Sequence, residues 1–230
     1  NNFCTFCVVP FTRGRERSRT CESIVDECKQ LVDEGFTQVT LLGQNVNSYK
    51  CDNNDFTKLM DEVSKVSGLK RIRFTSPHPK DFPIELLELM AERKNICNQV
   101  HMPLQAGNDR ILQKMNRTYT QDEFYKLIEK TRSIIPDVAI STDVIVGFPT
   151  ETDTEFNDTM EVMKNVGFDQ AYMFKYSERK GTTASRRFPD DVPENVKSSR
   201  ITLLVEQQKG IVHKINKKRI GDKQEVLIEK

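Results

Sequence analysis

The sequence has no long apolar run and almost no net charge, and both absences limit what the protein can be. No window of 18 consecutive residues is apolar, so the sequence predicts no transmembrane helix. The 35 Lys and Arg residues face 34 Asp and Glu residues, which leaves a net charge of +1. A general field that attracts polyanions is therefore excluded, and nucleic-acid contacts have to come from local basic clusters. Two such clusters lie at residues 13–19 and 214–219.

The six cysteines are too widely spaced for a small disulfide scaffold. This usage is typical of a reducing compartment, and we expect a cytoplasmic protein. Cys28 falls on an apolar helix face and is expected in the core. Cys21, Cys51 and Cys97 have no cysteine or histidine close by in the sequence. Cys4 and Cys7 form a C-x-x-C step, which suits either a zinc or redox site or an iron–sulfur cluster.

Helix and strand patterns alternate along the chain. Helices are predicted at residues 20–34, 55–67, 84–93, 153–165 and 194–219, with a helical pair between residues 108 and 133. Strands are predicted at residues 38–42, 71–75, 99–102, 138–146 and 171–176. Five strands separated by helices, with a further strand expected before Asn1, predict an α/β fold with a parallel sheet and right-handed crossovers. Periodicity does not decide whether that sheet is open or closed.

The cysteine loop and the segment after the first strand together resemble a known family. Residues 4–19 read CTFCVVPFTRGRERSR and residues 41–49 read LLGQNVNSY. Both are similar to the radical S-adenosylmethionine (SAM) methylthiotransferases, and within them to the MiaB-type tRNA enzymes. The resemblance implies a partial (β/α)6 TIM-like radical SAM barrel in residues 1–192. It also implies a linking helix in residues 193–219 and, in residues 220–230, the start of a small β-barrel that binds RNA, the TRAM domain.

The resemblance also implies the cofactors. Cys4 and Cys7, with a cysteine expected just before Asn1, would hold a [4Fe-4S] cluster whose open iron binds the amino and carboxylate groups of SAM. The resemblance further implies a second [4Fe-4S] cluster in an N-terminal domain outside this sequence. The chain starts without Met and is expected to be a piece of a longer protein. The candidate SAM contacts are Phe6, Gly43, Gln44, Asn45, Ser76, Gln105, Arg117, Asp143 and Ser177.

Several of these contacts stand at strand ends, where the chemistry of such barrels lies. By resemblance, Arg117 would pair with the SAM carboxylate and Asp143 with the ribose hydroxyls. Asp143 lies inside an apolar strand, where an unpaired carboxylate is costly, so a partner is expected. Arg117 is alternatively a solvated loop residue, and Gln105 and Ser76 alternatively cap the helices that follow them.

Other residues near the expected site are less specific. Arginines occupy every second position in residues 13–19 and would project to one side of an extended loop, towards phosphates or carboxylates, or else form a solvated charge run. Phe174 and the three residues after it end the last strand and are candidates for the substrate face. His78 and His101 are single histidines near strand ends, and neither is assigned as a ligand.

The activity that the resemblance implies is addition of a methylthio group to C2 of N6-isopentenyladenosine next to the anticodon of tRNA. The alternatives within the family act on threonylcarbamoyl-adenosine in tRNA or on an aspartate of a ribosomal protein. A zinc or RNA-binding module is the alternative without catalysis. The expected partners are tRNA, through its anticodon loop, and a flavodoxin-type electron donor, and the protein is expected to be a monomer that makes no contact with membranes.

Overall fold

The computed structural model describes residues 3–14, 16–75 and 77–228. Helices and strands alternate along most of the chain. The strands are β1 (Gln38–Leu41), β2 (Lys50–Cys51), β3 (Asn54–Asp55), β4 (Arg71–Phe74), β5 (Gln99–His101), β6 (Ala139–Val146) and β7 (Gln170–Lys175). The α-helices are α1 (Val9–Arg13), α2 (Cys21–Asp33), α3 (Phe56–Ser64), α4 (Ile84–Glu92), α5 (Asp109–Lys114), α6 (Gln121–Ile134), α7 (Asp153–Val166), α8 (Thr183–Arg187) and α9 (Glu194–Lys218).

Five of the strands form two parallel sheets that meet edge to edge. β1 pairs with β4, with Thr40 opposite Arg73. β6 lies between β5 and β7 and runs parallel to both. The two sheets meet at a parallel bridge between Ile72 and Ile96, where the N–H of Cys97 donates to the carbonyl of Ile72 over 3.0 Å. The strands therefore follow one another in chain order, as in a series of βα units.

The two faces of this curved sheet differ in composition because successive residues of a strand point to opposite sides. The outer face carries Val39, Ile72, Val100 and Val144, which are buried in one core together with the apolar residues of the helices. The opposite side, here called the inner face, carries mostly polar and aromatic residues. They include Gln38, Thr40, Arg71, Arg73, Gln99, His101, Ser141, Asp143, Ile145, Tyr172 and Phe174.

Capping residues set where the predicted helices begin and end. The side chain of Thr20 accepts a hydrogen bond from the N–H of Ser23 at the start of α2, and Asp55 caps α3 in the same way. Thr120 and Thr152 form capping boxes at α6 and α7. These local signals explain why the sequence predicts the starts of the helices to within one or two residues.

Two expectations about local structure are wrong, and one element was not predicted. The arginine segment is not a single extended row, because Arg13 ends helix α1, and Arg19 bonds to α2 through Ser23 Oγ at 2.7 Å and through an ion pair with Glu27. Arg15 lies outside the described residues. The short hairpin of β2 and β3 has no counterpart among the predicted elements. Residues 221–228 form no strand and are exposed, so the strand expected to open the TRAM domain is not formed there.

Helix α9 fixes its first turns to the sheet through two buried basic residues. Lys197 and Arg200 are only 3% and 5% exposed. The Nζ of Lys197 lies 2.6 and 2.7 Å from the two carboxylate oxygens of Asp190, and Nη1 of Arg200 donates to Glu151 Oε2 over 2.8 Å. The same oxygen of Glu151 accepts from the N–H of Gly147. The helix is thus bound to the turn that follows β6.

The 25 residues of α9 extend about 37 Å. Its second half leaves the sheet and carries exposed basic residues at its end, including Lys214, Lys217 and Lys218. In the part of the chain that the structure describes, no helix is both long enough and apolar enough to cross a bilayer.

Candidate cofactor site

Cys4 and Cys7 lie on one turn at the carboxyl end of the strands. The N–H of Cys7 donates to the carbonyl of Cys4 over 3.0 Å, which closes the turn. Both side chains are free thiols and half-buried. Burial raises the pKa of the Cys7 thiol, although the N–H of Val9 at the start of α1 favours its thiolate. The turn therefore presents two soft sulfur donors that are partly shielded from water.

Thr5, between the two cysteines, attaches this turn to distant parts of the chain. Its N–H donates to the carbonyl of Met115 over 3.0 Å, and its hydroxyl donates to the carbonyl of Lys114 over 2.8 Å. Its own carbonyl accepts from the N–H of Ala184 over 2.8 Å. The end of α5 and the start of α8 thus hold the cysteine turn in place.

Arg117 lies beneath the turn and is 9% exposed, so the alternative of a solvated loop arginine is wrong. Its Nη1 lies 3.2 Å from the sulfur of Cys4, and its Nε donates to the hydroxyl of Tyr119 over 3.1 Å. Its Nη2 lies 3.3 Å from the carbonyl of Pro103. These contacts fix the guanidinium between the cysteine turn and the segment after β5.

The cysteines open into a cavity of about 430 Å³. It brings together most of the residues that the sequence predicts as cofactor contacts. They are Cys4, Phe6, Cys7, Gln44, Asn45, Gln105, Arg117 and Asp143. Gly43 instead lines a larger groove of about 670 Å³ along β1, which contains neither of the two cysteines. Ser177 is exposed beyond β7, away from the lining of either space, and Ser76 lies outside the described residues.

Gln105 does not cap the helix that follows it, because the N-cap of α5 is Asn108. Its φ of 67° lies in the left-handed region, which is unusual for a residue with a side chain. Its N–H donates to the carbonyl of Asp143 over 2.8 Å, and its carbonyl accepts from the N–H of Ile145 over 2.9 Å. This pairing extends the contact between the β5 segment and β6 and places Gln105 in the cavity wall.

Asp143 has the partner that its strand position requires. Its Oδ2 lies 3.1 Å from Nε2 of His101, whose Nδ1 lies 3.0 Å from Oγ of Ser141. The side chain of Asp143 is 30% exposed, so it remains accessible from the cavity. His101 was not predicted as a site residue, although the alternation of strand residues places it on the same side of the sheet as Asp143.

His78 is a second histidine in the cavity wall. It is 5% exposed, and burial, followed by the charge of Arg117, lowers its pKa to about 3. Its Nδ1 accepts from the N–H of Lys80 over 3.3 Å, and the side chain of Asn47 bonds to both its N–H and its carbonyl. The ring is therefore neutral and fixed in orientation.

The donor set of this cavity suits an iron–sulfur cluster. Two thiol groups on one turn match the preference of such clusters for cysteine sulfur. No group of three or more Cys, His, Asp or Glu side chains could hold a metal ion within residues 3–14, 16–75 and 77–228. The cavity also holds a buried oxygen without a partner, Asn45 Oδ1. The described residues thus supply two cysteine ligands of the kind that such a cluster takes.

The family profile described as the radical SAM superfamily matches residues 1–163. The chain belongs to the radical SAM superfamily. Its fold agrees with this assignment. Coproporphyrinogen III oxidase of Escherichia coli, described as a radical SAM enzyme, superposes with a TM-score of 0.61 at 17% identity over 89% of this chain and 50% of that chain. Methylornithine synthase gives 0.60 at 19% identity over 94% of this chain and 65% of that chain.

At these identities the two structures show the fold alone, which is a partial TIM-like radical SAM barrel. The superfamily assignment gives the cofactors as a [4Fe-4S] cluster and SAM. The fold class and the superfamily inferred from the cysteine loop are therefore confirmed.

Closer relatives in sequence carry one name. An enzyme of Pelotomaculum thermopropionicum named tRNA-2-methylthio-N(6)-dimethylallyladenosine synthase is 47% identical over the whole chain. An enzyme of the same name from Acetivibrio thermocellus is 48% identical over the whole chain. The radical SAM chain described here spans 52% and 48% of the lengths of these two relatives, or about half.

Proposed function

We propose that the protein is a radical SAM tRNA methylthiotransferase that modifies C2 of N6-isopentenyladenosine next to the anticodon. The observation that carries this proposal is the 47–48% identity to curated enzymes of that name along all of this chain. The cysteine turn, the Arg117 contact and the lined cavity support it, because they offer the groups that the superfamily's cofactors need.

Cys4 and Cys7 hold the cluster in this proposal, and a cysteine upstream of Asn1 completes the set. When bound, the cluster and SAM would supply the radical chemistry needed to replace the hydrogen at C2 of the adenosine. Thr5 keeps the two thiols at the mouth of the cavity through its hydrogen bonds to α5 and α8. The guanidinium of Arg117 places a positive charge next to the sulfur of Cys4.

The remaining cavity residues position SAM. Asp143 accepts hydrogen bonds from ribose hydroxyls, and His101 fixes the orientation of its carboxylate. Arg117 has N–H groups beyond its three protein contacts for the SAM carboxylate. Gln44 and Asn45 close the opposite wall of the cavity. The other candidate SAM contacts remain predictions without a specific role, and they are Phe6, Gly43, Ser76, Gln105 and Ser177.

The RNA is held at two places in this proposal. The barrel in residues 1–192 takes the anticodon loop, whose bases are unstacked at low cost. The helix in residues 193–219 leads to a TRAM domain that begins in residues 220–230, and its exposed basic end contacts phosphates. We further propose a cytoplasmic monomer, a flavodoxin-type reductant, and a second [4Fe-4S] cluster in an N-terminal domain that carries the sulfur atom.

The proposal is tested with anaerobically reconstituted full-length protein, SAM, dithionite and isopentenylated tRNA. Mass spectrometry of the digested nucleosides should show 2-methylthio-N6-isopentenyladenosine, and tRNA without the isopentenyl group should stay unmodified. The Cys4→Ala variant is the control for radical chemistry and should form no 5′-deoxyadenosine. If threonylcarbamoyl-adenosine or a ribosomal protein is modified and the isopentenylated tRNA is not, the proposed substrate is wrong. Purified protein that contains zinc but neither iron nor sulfide would contradict the assignment as an enzyme.

A further inference from the structure

Two large aromatic side chains stand half-exposed on the inner face of β7. Tyr172 is 46% exposed and Phe174 is 52% exposed, whereas Ala171 and Met173, between and beside them, pack against the core. Contact between exposed aromatic rings and water is unfavourable, and a cluster of such rings often marks a binding site. We refer to Tyr172 and Phe174 as the aromatic shelf.

The shelf is continuous with the cysteine cavity. Tyr172 lies opposite Asp143 in the parallel register, and Phe174 lies opposite Ile145. The ring of Tyr172 also meets the ring of His101 edge to face, with centroids 6.0 Å apart. Since His101 and Asp143 line the cavity of Cys4 and Cys7, a ligand on the shelf reaches the same cavity.

The same inner face carries positive charge. Arg73 is exposed, and its Nη1 donates to the amide oxygen of Gln99 over 2.9 Å. No carboxylate forms an ion pair with Arg73 in the part of the chain that the structure describes. Arg71, two residues earlier, pairs with Glu225. Arg73 lies on β4, three strands away from the shelf on β7, so its guanidinium is available to a phosphate elsewhere along a bound RNA and not to the base on the shelf.

We propose that the aromatic shelf binds the adenine ring of the RNA substrate and its N6-alkyl group, and so determines substrate specificity. The inference rests on the proposed function and assigns the recognition of the alkylated base to two residues. Aromatic rings offer stacking area to the purine and apolar area to the alkyl group, while Arg73, further along the inner face, takes a phosphate of the same RNA. RNA is favoured over a protein partner because Tyr172 contacts His101, which lines the cysteine cavity together with Asp143, so a base on the shelf lies next to the proposed reaction site.

The test measures RNA binding in the absence of turnover. Full-length reconstituted protein without reductant is titrated into two fluorescent anticodon stem-loops, one with N6-isopentenyladenosine and one with adenosine. The wild type should bind the alkylated RNA more tightly. Tyr172→Ala and Phe174→Ala should each weaken binding of the alkylated RNA about tenfold and reduce the preference for it. SAM affinity and iron content should not change.

Three control variants separate recognition from folding. Tyr172→Phe keeps the ring and should bind like the wild type. Phe36→Ala removes a comparably exposed ring, 54% exposed, in the groove along β1 that contains neither of the two cysteines, and should also bind like the wild type. Arg73→Gln should weaken binding of both RNAs alike, because a phosphate carries no base identity.

The outcomes of this test are distinct. An unchanged affinity and preference in both alanine variants would overturn the shelf and leave the proposed function intact, provided that the wild type still prefers and modifies the alkylated RNA. A wild type that neither prefers nor modifies that RNA would overturn the shelf together with the proposed function. An equal loss in the Phe36→Ala control would also overturn it, since the effect would then be general.

Discussion

Arg117 places its guanidinium 3.2 Å from the sulfur of Cys4, although 113 residues separate them in the chain. This contact ties the segment after α5 to the cysteine turn. It also changes the role expected of Arg117, because the same side chain that the sequence assigns to the SAM carboxylate touches a proposed cluster ligand. The consequences for iron binding and for SAM binding are therefore separable only by comparing variants.

Replacing either cysteine of the turn should remove the cluster. Cys4→Ser and Cys7→Ser are expected to lose most bound iron and sulfide and all cleavage of SAM, because a hydroxyl is a poor ligand for such a cluster. Iron analysis and assay of 5′-deoxyadenosine check this. Cys51→Ser, in the hairpin away from the cavity, is the matched control and should retain both. Full cleavage in either turn variant would contradict the assignment.

Asp143→Asn should weaken SAM binding without a loss of iron. The expected cost is roughly 1.5 to 3 kcal/mol, since the variant removes the charge from a charge-assisted hydrogen bond. Arg117→Ala should lower both SAM affinity and iron content, because its guanidinium also contacts Cys4. Isothermal titration with SAM and iron analysis of the same samples separate the two effects. Identical profiles for the two variants would show that Asp143 acts on the structure and not on SAM.

Glu151 and Glu155 should make the unfolding free energy depend on pH in opposite directions. Burial raises the pKa of Glu151 to about 7, so its contribution is full below about pH 4.5, the ordinary value, and is lost as the pH rises through 7. Hydrogen bonds from Arg110 lower the pKa of Glu155 to about 2, so its contribution is present above pH 4.5 and is lost as the pH falls towards 2. Each carboxyl changes the unfolding free energy by at most about 1.4 kcal/mol per pH unit.

Urea unfolding of the metal-free chain between pH 3 and pH 8, roughly the span of both transitions, measures these slopes. Glu151→Gln should flatten the upper part of the profile alone, and Glu155→Gln the lower part alone. A Glu151→Gln profile parallel to that of the wild type above pH 4.5, the ordinary glutamate pKa, would mean that the Arg200 pair holds the carboxyl charged.

Gly147 is held beneath the side chain of Lys197. Its φ is 69°, and a Cβ there would lie 2.4 Å from Cγ of Lys197. Gly147→Ala should therefore lose about 1 kcal/mol for the left-handed backbone and roughly 1 to 3 kcal/mol more for the clash. Gly167 has a similar φ of 64° with nothing within 4 Å, so Gly167→Ala isolates the backbone term. Equal losses of unfolding free energy in the two variants would contradict the packing of α9 on this turn.

The basic end of α9 should control the salt dependence of tRNA binding. Replacing Lys217, Lys218 and Arg219 by Gln should reduce the slope of log affinity against log salt by about 0.7 to 0.9 for each phosphate that these residues neutralise, with SAM cleavage unchanged. Filter binding at several salt concentrations measures this slope. Lys126→Gln with Lys130→Gln, exposed on α6, is the control. An unchanged slope in the α9 variant would place the phosphate-binding residues elsewhere.

The main helices and the parallel strands were predictable because their signals are local. Thr20, Asp55, Thr120 and Thr152 are N-cap residues, and apolar residues recur at regular spacing behind them. Helix α1 was missed because five residues are too few to show a period. The cysteine turn and its superfamily were predictable from the spacing of Cys4 and Cys7 and from the residues around them.

The tertiary contacts and the backbone conformation that position the site residues could not be predicted from local signals. The burial of Arg117 depends on Tyr119, Pro103 and Cys4 meeting in space, and no local pattern encodes that meeting. The left-handed backbone of Gln105 is equally invisible, since glutamine carries no preference for it. The pairing of His101 with Asp143 could have been predicted, because both lie at inner-face positions of adjacent strands.

The hydrogen bonds of Thr5 impose an order on biosynthesis. A ribosome releases the amino-terminal residues first, so Cys4 and Cys7 emerge long before Met115 and Ala184, which hold their turn. During that interval both thiols sit on a segment without its tertiary supports. We therefore expect the cysteine turn to reach the form described above only after Ala184 has left the ribosome.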